Sequence, residues 1–230
     1  MYNDHFNLKG FLQFAGPILY FALQFSCFSI AIDIQKFKSV RKLSSIPFVS
    51  LFVNGFYWTE YGLFIKDITI WFPNLVSIFV ALFCMYIYYQ YSIIKPLKIY
   101  FISILLITVG LILGLYNNLS LIGLIACILS ITVSGSPLAV IKTVIIEKST
   151  ISLPFLTSFI SWLNAIIWVL YSEYVVKDNL ILIPNLIGLI LTTIQMLLFC
   201  IYGISSSSSS SFNNNNMKEG KVTNIRLIDV

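Results

Sequence analysis

Charge is what this sequence has least of. Asp, Glu, Lys and Arg make up 10% of its 230 residues, against about 25% in an average soluble domain. With 58% of the residues hydrophobic, a water-soluble globule is excluded. Histidine is nearly absent as well: His5 is the only one and lies in a short polar N-terminal stretch, where it reads as solvated. The four cysteines, Cys27, Cys84, Cys127 and Cys200, all fall inside apolar runs. A thiol there behaves as a small hydrophobe, so neither a disulfide nor a metal site is expected.

What is present is long apolar stretches. A membrane helix needs roughly 20 mostly apolar residues to cross about 30 Å of hydrocarbon. Gly10–Ile32 and Ile68–Ile94 are uncharged and each suffices for one crossing. Ile99–Ile141 is uncharged but too long, and the adjacent turn formers Asn117 and Asn118 divide it in two. Ile46–Phe64, Ser152–Tyr171 and Leu180–Tyr202 bring the expected number of spans to seven. The first run lacks a basic leader and a small-residue cleavage site, so it reads as a span and not as a removed signal. The sequon Asn118-Leu119-Ser120 is held so tightly between two helices that no glycan is expected on it.

Seven spans place the termini on opposite sides, and the basic residues decide which is which. Lys36, Lys38, Arg41, Lys42, Lys95, Lys98, Lys142, Lys148, Lys218, Lys221 and Arg226 share one side, leaving Lys9, Lys66 and Lys177 on the other. The N-terminus is therefore expected outside and the C-terminus in the cytosol. This asymmetry accounts for the net charge of +5 without a nucleic-acid partner. From residue 205 a serine run and four asparagines precede a mixed-charge end, a composition expected to stay disordered.

The chain repeats itself. Trp58, Tyr61, Lys66-Asp67 and Pro73-Asn74 recur as Trp168, Tyr171, Lys177-Asp178 and Pro184-Asn185. The tryptophans are 110 residues apart and the asparagines 111, so the second copy holds one extra residue between them. Pro47-Phe48 likewise matches Pro154-Phe155. Each copy covers two spans, and one preceding span completes a three-helix unit. The fourth span is left as a linker, which restores the orientation so that both units run parallel about an axis along the membrane normal. The expected division is residues 1–92, linker 93–117, residues 118–204 and a tail from 205 to 230.

Trp58 lies nine residues before Asp67 and Asn74 seven after it, or about 13 and 10 Å below the turn at 1.5 Å per residue. They meet at one level, too deep for headgroup anchors. An amide there must hydrogen-bond or line a wet cavity. Two such amides and two indoles across a pseudo-twofold axis suit an uncharged polyhydroxylated ligand, because amides pair with hydroxyls and an indole covers a sugar's C–H face. The asparagines acting only as bridges between helices is the plainer alternative.

In this combination the sequence resembles the SWEET sugar transporters over about residues 10 to 204. The resemblance rests on Pro47-Phe48, Trp58-x-x-Tyr61-Gly62, Asp67, Pro73-Asn74, Gly135-Ser136-Pro137-Leu138, Lys148-Ser149, Pro154-Phe155, Asn164-Ala165, Trp168-x-x-Tyr171, Asp178 and Pro184-Asn185-x-x-Gly188. It implies an all-α membrane fold in a 3+1+3 arrangement, no catalytic residues, no cofactor, and self-association. It further implies a sugar site at Asn74, Asn185, Trp58 and Trp168, and an outer gate at Tyr61 and Asp178. Three of four hinge prolines are matched by Pro47, Pro137 and Pro154; Cys27 stands where the fourth would be, and Ser172 where the pattern has Gly.

Proton coupling would call for an ionisable side chain near the midplane. Asp33, Glu60, Glu147 and Glu173 all fall near expected helix ends, where hydration or snorkelling explains them. The expectation is a passive, bidirectional uniporter, taking a monosaccharide such as glucose with millimolar affinity, near −4 kcal/mol. It would sit in the plasma membrane, with an internal membrane as the alternative. The rival readings are an amino-acid exporter of the PQ-loop type, a seven-helix receptor and a non-transporting scaffold. The first would show Pro-Gln, whereas Pro47 and Pro154 precede Phe. The second would have no reason to repeat its helices.

Overall fold

The computed structural model describes residues 2–41, 43–133 and 135–204; the expected tail from 205 onward lies outside them. The elements are α1 (Tyr2–Phe37), α2 (Ile46–Phe64), α3 (Ile68–Tyr91), α4 (Leu97–Leu115), α5 (Leu119–Val133), α6 (Gly135–Glu147), α7 (Phe155–Tyr171) and α8 (Asn179–Tyr202). A π-helical turn, Ser172–Val176, extends α7. Together α5 and α6 make one span, Leu119–Glu147, so the described residues form seven rods.

Six of these rods are long and apolar enough to cross a membrane. The exception is α2, which has the length but carries Asn54, Thr59 and Glu60. It sits within the bundle against α3, α4 and α5, so its polar side chains meet protein and not lipid. Most of the apolar surface elsewhere points outward: Phe14 is 75% exposed and Phe25 71%, as lipid-facing residues should be.

Each three-helix unit folds the same way. α3 packs between α1 and α2, and α8 packs between the α5–α6 rod and α7. The units meet crosswise, α1 on α7 and α5 on α2, while α4 lies against α2 and α5. The α4–α5 break falls at the two asparagines: Asn117 adopts a left-handed φ of 53°, and Asn118 accepts from the Leu121 amide at 3.3 Å.

The extra residue of the second copy is found in the π-helical turn. Six residues separate Tyr61 from Asp67 and seven separate Tyr171 from Asp178. A π turn absorbs one residue without moving the helices on either side. Ser172 opens it, its buried hydroxyl donating back to the Trp168 carbonyl at 2.8 Å and the Val169 carbonyl at 3.0 Å. The first-copy equivalent is Gly62, where a Cβ would lie 2.7 Å from the Trp71 nitrogen.

Pro47 lies in the first turn of α2 and Pro154 at the N-cap of α7, where an amide has no intrahelical partner to lose. Pro137 lies within the α5–α6 span Leu119–Glu147, and Pro17, Pro73 and Pro184 lie inside α1, α3 and α8.

Candidate functional site

Both repeated turns are built alike. Lys66 and Lys177 take left-handed φ values of 58° and 57°, reversing the chain so that the following aspartate caps a helix. Asp67 Oδ1 accepts from the Thr69 amide at 2.9 Å, and Asp178 Oδ1 from the Leu180 amide at 2.8 Å. A capping carboxylate satisfies an orphan amide of the first turn. Each aspartate keeps a second oxygen for a tyrosine of the other unit. Tyr171 donates to Asp67 Oδ2 at 2.6 Å, and Tyr61 donates to Asp178 Oδ2.

These two crossed pairs join the units at the end of the bundle that carries the turns. Sequence reasoning placed Tyr61 and Asp178 together and missed the equivalent Tyr171–Asp67 pair. Below each tyrosine stands its tryptophan, edge to face: Trp58–Tyr61 centroids are 5.7 Å apart at 89°, and Trp168–Tyr171 centroids 5.6 Å at 82°. At this end α5 closes tightly on α2. A Cβ at Gly123 would sit 2.5 Å from the Tyr61 ring.

Beneath the pairs lies a cavity of about 340 Å³ between the units. It brings together all four residues singled out on sequence, Trp58, Asn74, Trp168 and Asn185. Both asparagines follow a proline and donate Nδ2 to a carbonyl one turn back, Asn74 to Ile70 and Asn185 to Ile181, each at 2.8 Å. That bond fixes the rotamer and turns the side-chain carbonyl toward other partners. Both indoles are nearly buried, at 7% and 8% exposure. Trp58 Nε1 donates to Ser130 Oγ at 2.9 Å, and Trp168 Nε1 to Asn164 Oδ1 at 3.2 Å.

Several lining residues escaped the sequence reading. Asn54 accepts from Ser130 at 2.9 Å, and Tyr20 donates to Asn74 Oδ1 at 3.2 Å and Ser77 Oγ at 3.3 Å. Gln24 Nε2 completes this cluster by donating to Ser77 at 2.9 Å. The signal was available: at the 110-residue offset of the tryptophans, Asn54 corresponds to Asn164 and Tyr20 to Ser130. The Tyr20/Ser130 exchange breaks the symmetry. It occupies the Asn74 carbonyl, while the lining has no equivalent phenol for Asn185. Among the described residues, no Asp, Glu, Lys, Arg or His belongs to the cavity lining.

Glu60 corrects another expectation. Although it lies near the end of α2, its Oε2 is buried without a hydrogen-bond partner among the described residues. The carboxylate fits the notch formed by Gly110 and Gly114 of α4, where a Cβ on Gly110 would lie 3.2 Å from Oε2. It therefore faces the linker helix and not the cavity.

Comparison with known proteins agrees with this architecture. The sequence profile of the family described as "Sugar efflux transporter for intercellular exchange" matches residues 10–95 and 120–207, one segment per unit. The chain is 31% identical over 184 residues to "Bidirectional sugar transporter SWEET8" of Arabidopsis thaliana, covering 74% of this chain and 77% of that one. It is 28% identical over 178 residues to "Sugar transporter SWEET1" of Drosophila pseudoobscura pseudoobscura, covering 74% and 78%. In fold it is similar to the 3.7 Å structure of a eukaryotic SWEET transporter, with a TM-score of 0.78 at 23% identity, covering 86% of this chain and 98% of the other. With both repeats matched and a relative above 30% identity, the chain belongs to the SWEET family.

Proposed function

We propose that this protein is a facilitative, bidirectional sugar uniporter working by alternating access, with a monosaccharide as its substrate. The observation that carries the reading is the cavity between the units, with paired asparagines and paired tryptophans and, among the described residues, no Asp, Glu, Lys, Arg or His in its lining. Hydroxyls of a neutral sugar pair with amides, and its C–H face packs on an indole. A lining of this kind offers no carboxylate or imidazole as a proton carrier, which supports uniport over proton coupling. Glu60 faces α4, away from the substrate path. A volume of about 340 Å³ is at the small end of ligand cavities and favours one sugar ring over two.

In this reading Asn74, Asn185, Trp58 and Trp168 hold the sugar. The crossed tyrosine–aspartate pairs form the outer gate, closed in this state, and the units rock about the cavity to expose it to either side. Lys9, Lys66 and Lys177 lie on the outer face and the remaining basic residues in the cytosol, which supports an N-terminus outside. The hinge positions are Pro47 and Pro154, at helix starts that can swivel against their loops, and Pro137 within the α5–α6 span.

The test is radiolabelled glucose equilibration in proteoliposomes without an ion gradient, comparing wild type with Asn74→Ala and Asn185→Ala. Equilibration by wild type and its loss in both folded variants is the expected result. Transport by wild type only under a proton gradient would overturn the uniport; no movement of any sugar would leave the scaffold reading standing.

A further inference from the structure

At the end of the bundle opposite the crossed pairs, the last two turns of α1 and the α1–α2 loop enclose a groove of about 570 Å³. Ile30, Ile34 and Phe37, spaced three or four residues apart, line one wall on a single face of α1, and Leu43 of the loop lines the other. Phe37 and Leu43 leave 50% and 44% of their surface uncovered. The groove thus begins in the apolar part of the helix and ends where the chain leaves it.

The rim is basic and held in place. The Arg41 guanidinium lies 4.1 Å from the centre of the Phe37 ring, and Lys36 Nζ lies 5.8 Å from the same ring. Lys38 and Arg41 both take left-handed φ values, 51° and 50°, which non-glycine residues seldom adopt. The Arg41 amide fixes the loop by donating to Ser39 Oγ at 3.2 Å. Stacking orients the guanidinium fork but uses none of its N–H donors, and no hydrogen bond or ion pair to it occurs among the described residues. Among the described residues, Asp33 is the only acidic one in the groove lining, set against Lys36, Lys38 and Arg41, none of which pairs with it.

We propose that this groove binds an anionic phospholipid, with the acyl chain along Ile30, Ile34 and Phe37 and the phosphate on the Arg41 fork. Planar guanidinium matches phosphate in two parallel hydrogen bonds, and Lys36 and Lys38 add charge around it. A free phosphate ion would satisfy the rim and leave the apolar wall bare. A lipid satisfies both, at the depth where headgroup and chain meet. Juxtamembrane basic clusters of this kind hold anionic lipids electrostatically, each cation contributing about a fivefold preference.

The experiment is native mass spectrometry of the full chain released from mixed phosphatidylserine and phosphatidylcholine. Wild type should retain phosphatidylserine at least about fivefold over phosphatidylcholine. Replacing Lys36, Lys38 and Arg41 together by Gln should bring the two lipids to parity, whereas Lys142→Gln with Lys148→Gln should leave the preference intact. Arg41→Gln alone should lower the preference about fivefold, and it serves if the triple variant does not fold. Equal retention of both lipids by wild type, or a preference unmoved by loss of Arg41, would overturn the proposal. So would displacement of the lipid by inorganic phosphate at equal concentration, which would make the site one for the free ion.

Discussion

If the crossed tyrosine–aspartate pairs hold one end of the cavity shut, removing either phenol should release it to the same degree. Tyr61→Phe and Tyr171→Phe delete one hydroxyl each and leave both aspartate caps, through Asp67 Oδ1 and Asp178 Oδ1, in place. A hydrogen bond to a charged acceptor contributes about 1.5–3 kcal/mol. Both aspartates border the water-accessible vestibule above the pairs, so a freed carboxylate oxygen rehydrates, and about 2 kcal/mol is the reasonable figure. At 1.4 kcal/mol per factor of ten, each substitution should lower the closed-to-open ratio about 30-fold, and the double variant about 1,000-fold. Spin labels at positions 66 and 177 would read this directly as a growing long-distance population in pulsed electron–electron resonance. A change with Tyr61→Phe and none with Tyr171→Phe would refute the twofold reasoning. No change in either would show that packing, and not these bonds, keeps that end shut.

Three further outcomes follow from the geometry. Gly123→Ala puts a methyl 2.5 Å from the Tyr61 ring and 2.7 Å from Leu180; overpacking of that kind costs about 1–3 kcal/mol, to be seen as a lower melting temperature. Tyr20→Phe removes the donor to Asn74 and Ser77 and should cost about 1 kcal/mol in the same assay, because Ser77 keeps its bond from Gln24. Deleting Val175 gives the second copy the six-residue spacing of the first, so it should replace the π turn with an α turn and preserve the Tyr171–Asp67 pair; collapse of folding or of sugar equilibration would contradict this.

Much of the fold was legible because its two strongest signals are redundant. Apolar length marks the spans, and the 110-residue echo marks how they group. The site was legible where a residue type is costly in lipid and also occurs twice, as with Asn74 and Asn185. Tyr20 and Ser130 were not, since the two copies differ there and a single polar residue on an apolar helix does not say which way it points; Asn54 carried a signal in its echo Asn164 and was overlooked. Glu60 shows the same limit: it lies four residues from the end of α2, near enough for water on a linear count. Rotation about the helix axis sends it into the glycine notch of α4 instead. The extra residue of the second copy was visible as a count, but its absorption in a π turn depends on backbone geometry that spacing does not carry.

The aspartates that cap α3 and α8 stand seven residues before Asn74 and Asn185 on those same helices, about 10 Å away. Each helix therefore carries a latch at its first turn and an amide about two turns further on. Binding linkage is reciprocal: if a bound sugar alters how firmly the tyrosines hold the aspartates, the state of the latch must alter sugar affinity by the same factor. Because each latch also joins one unit to the helix that bears the other unit's amide, a ligand touching both amides would report to both latches at once. The two halves would then have to turn together.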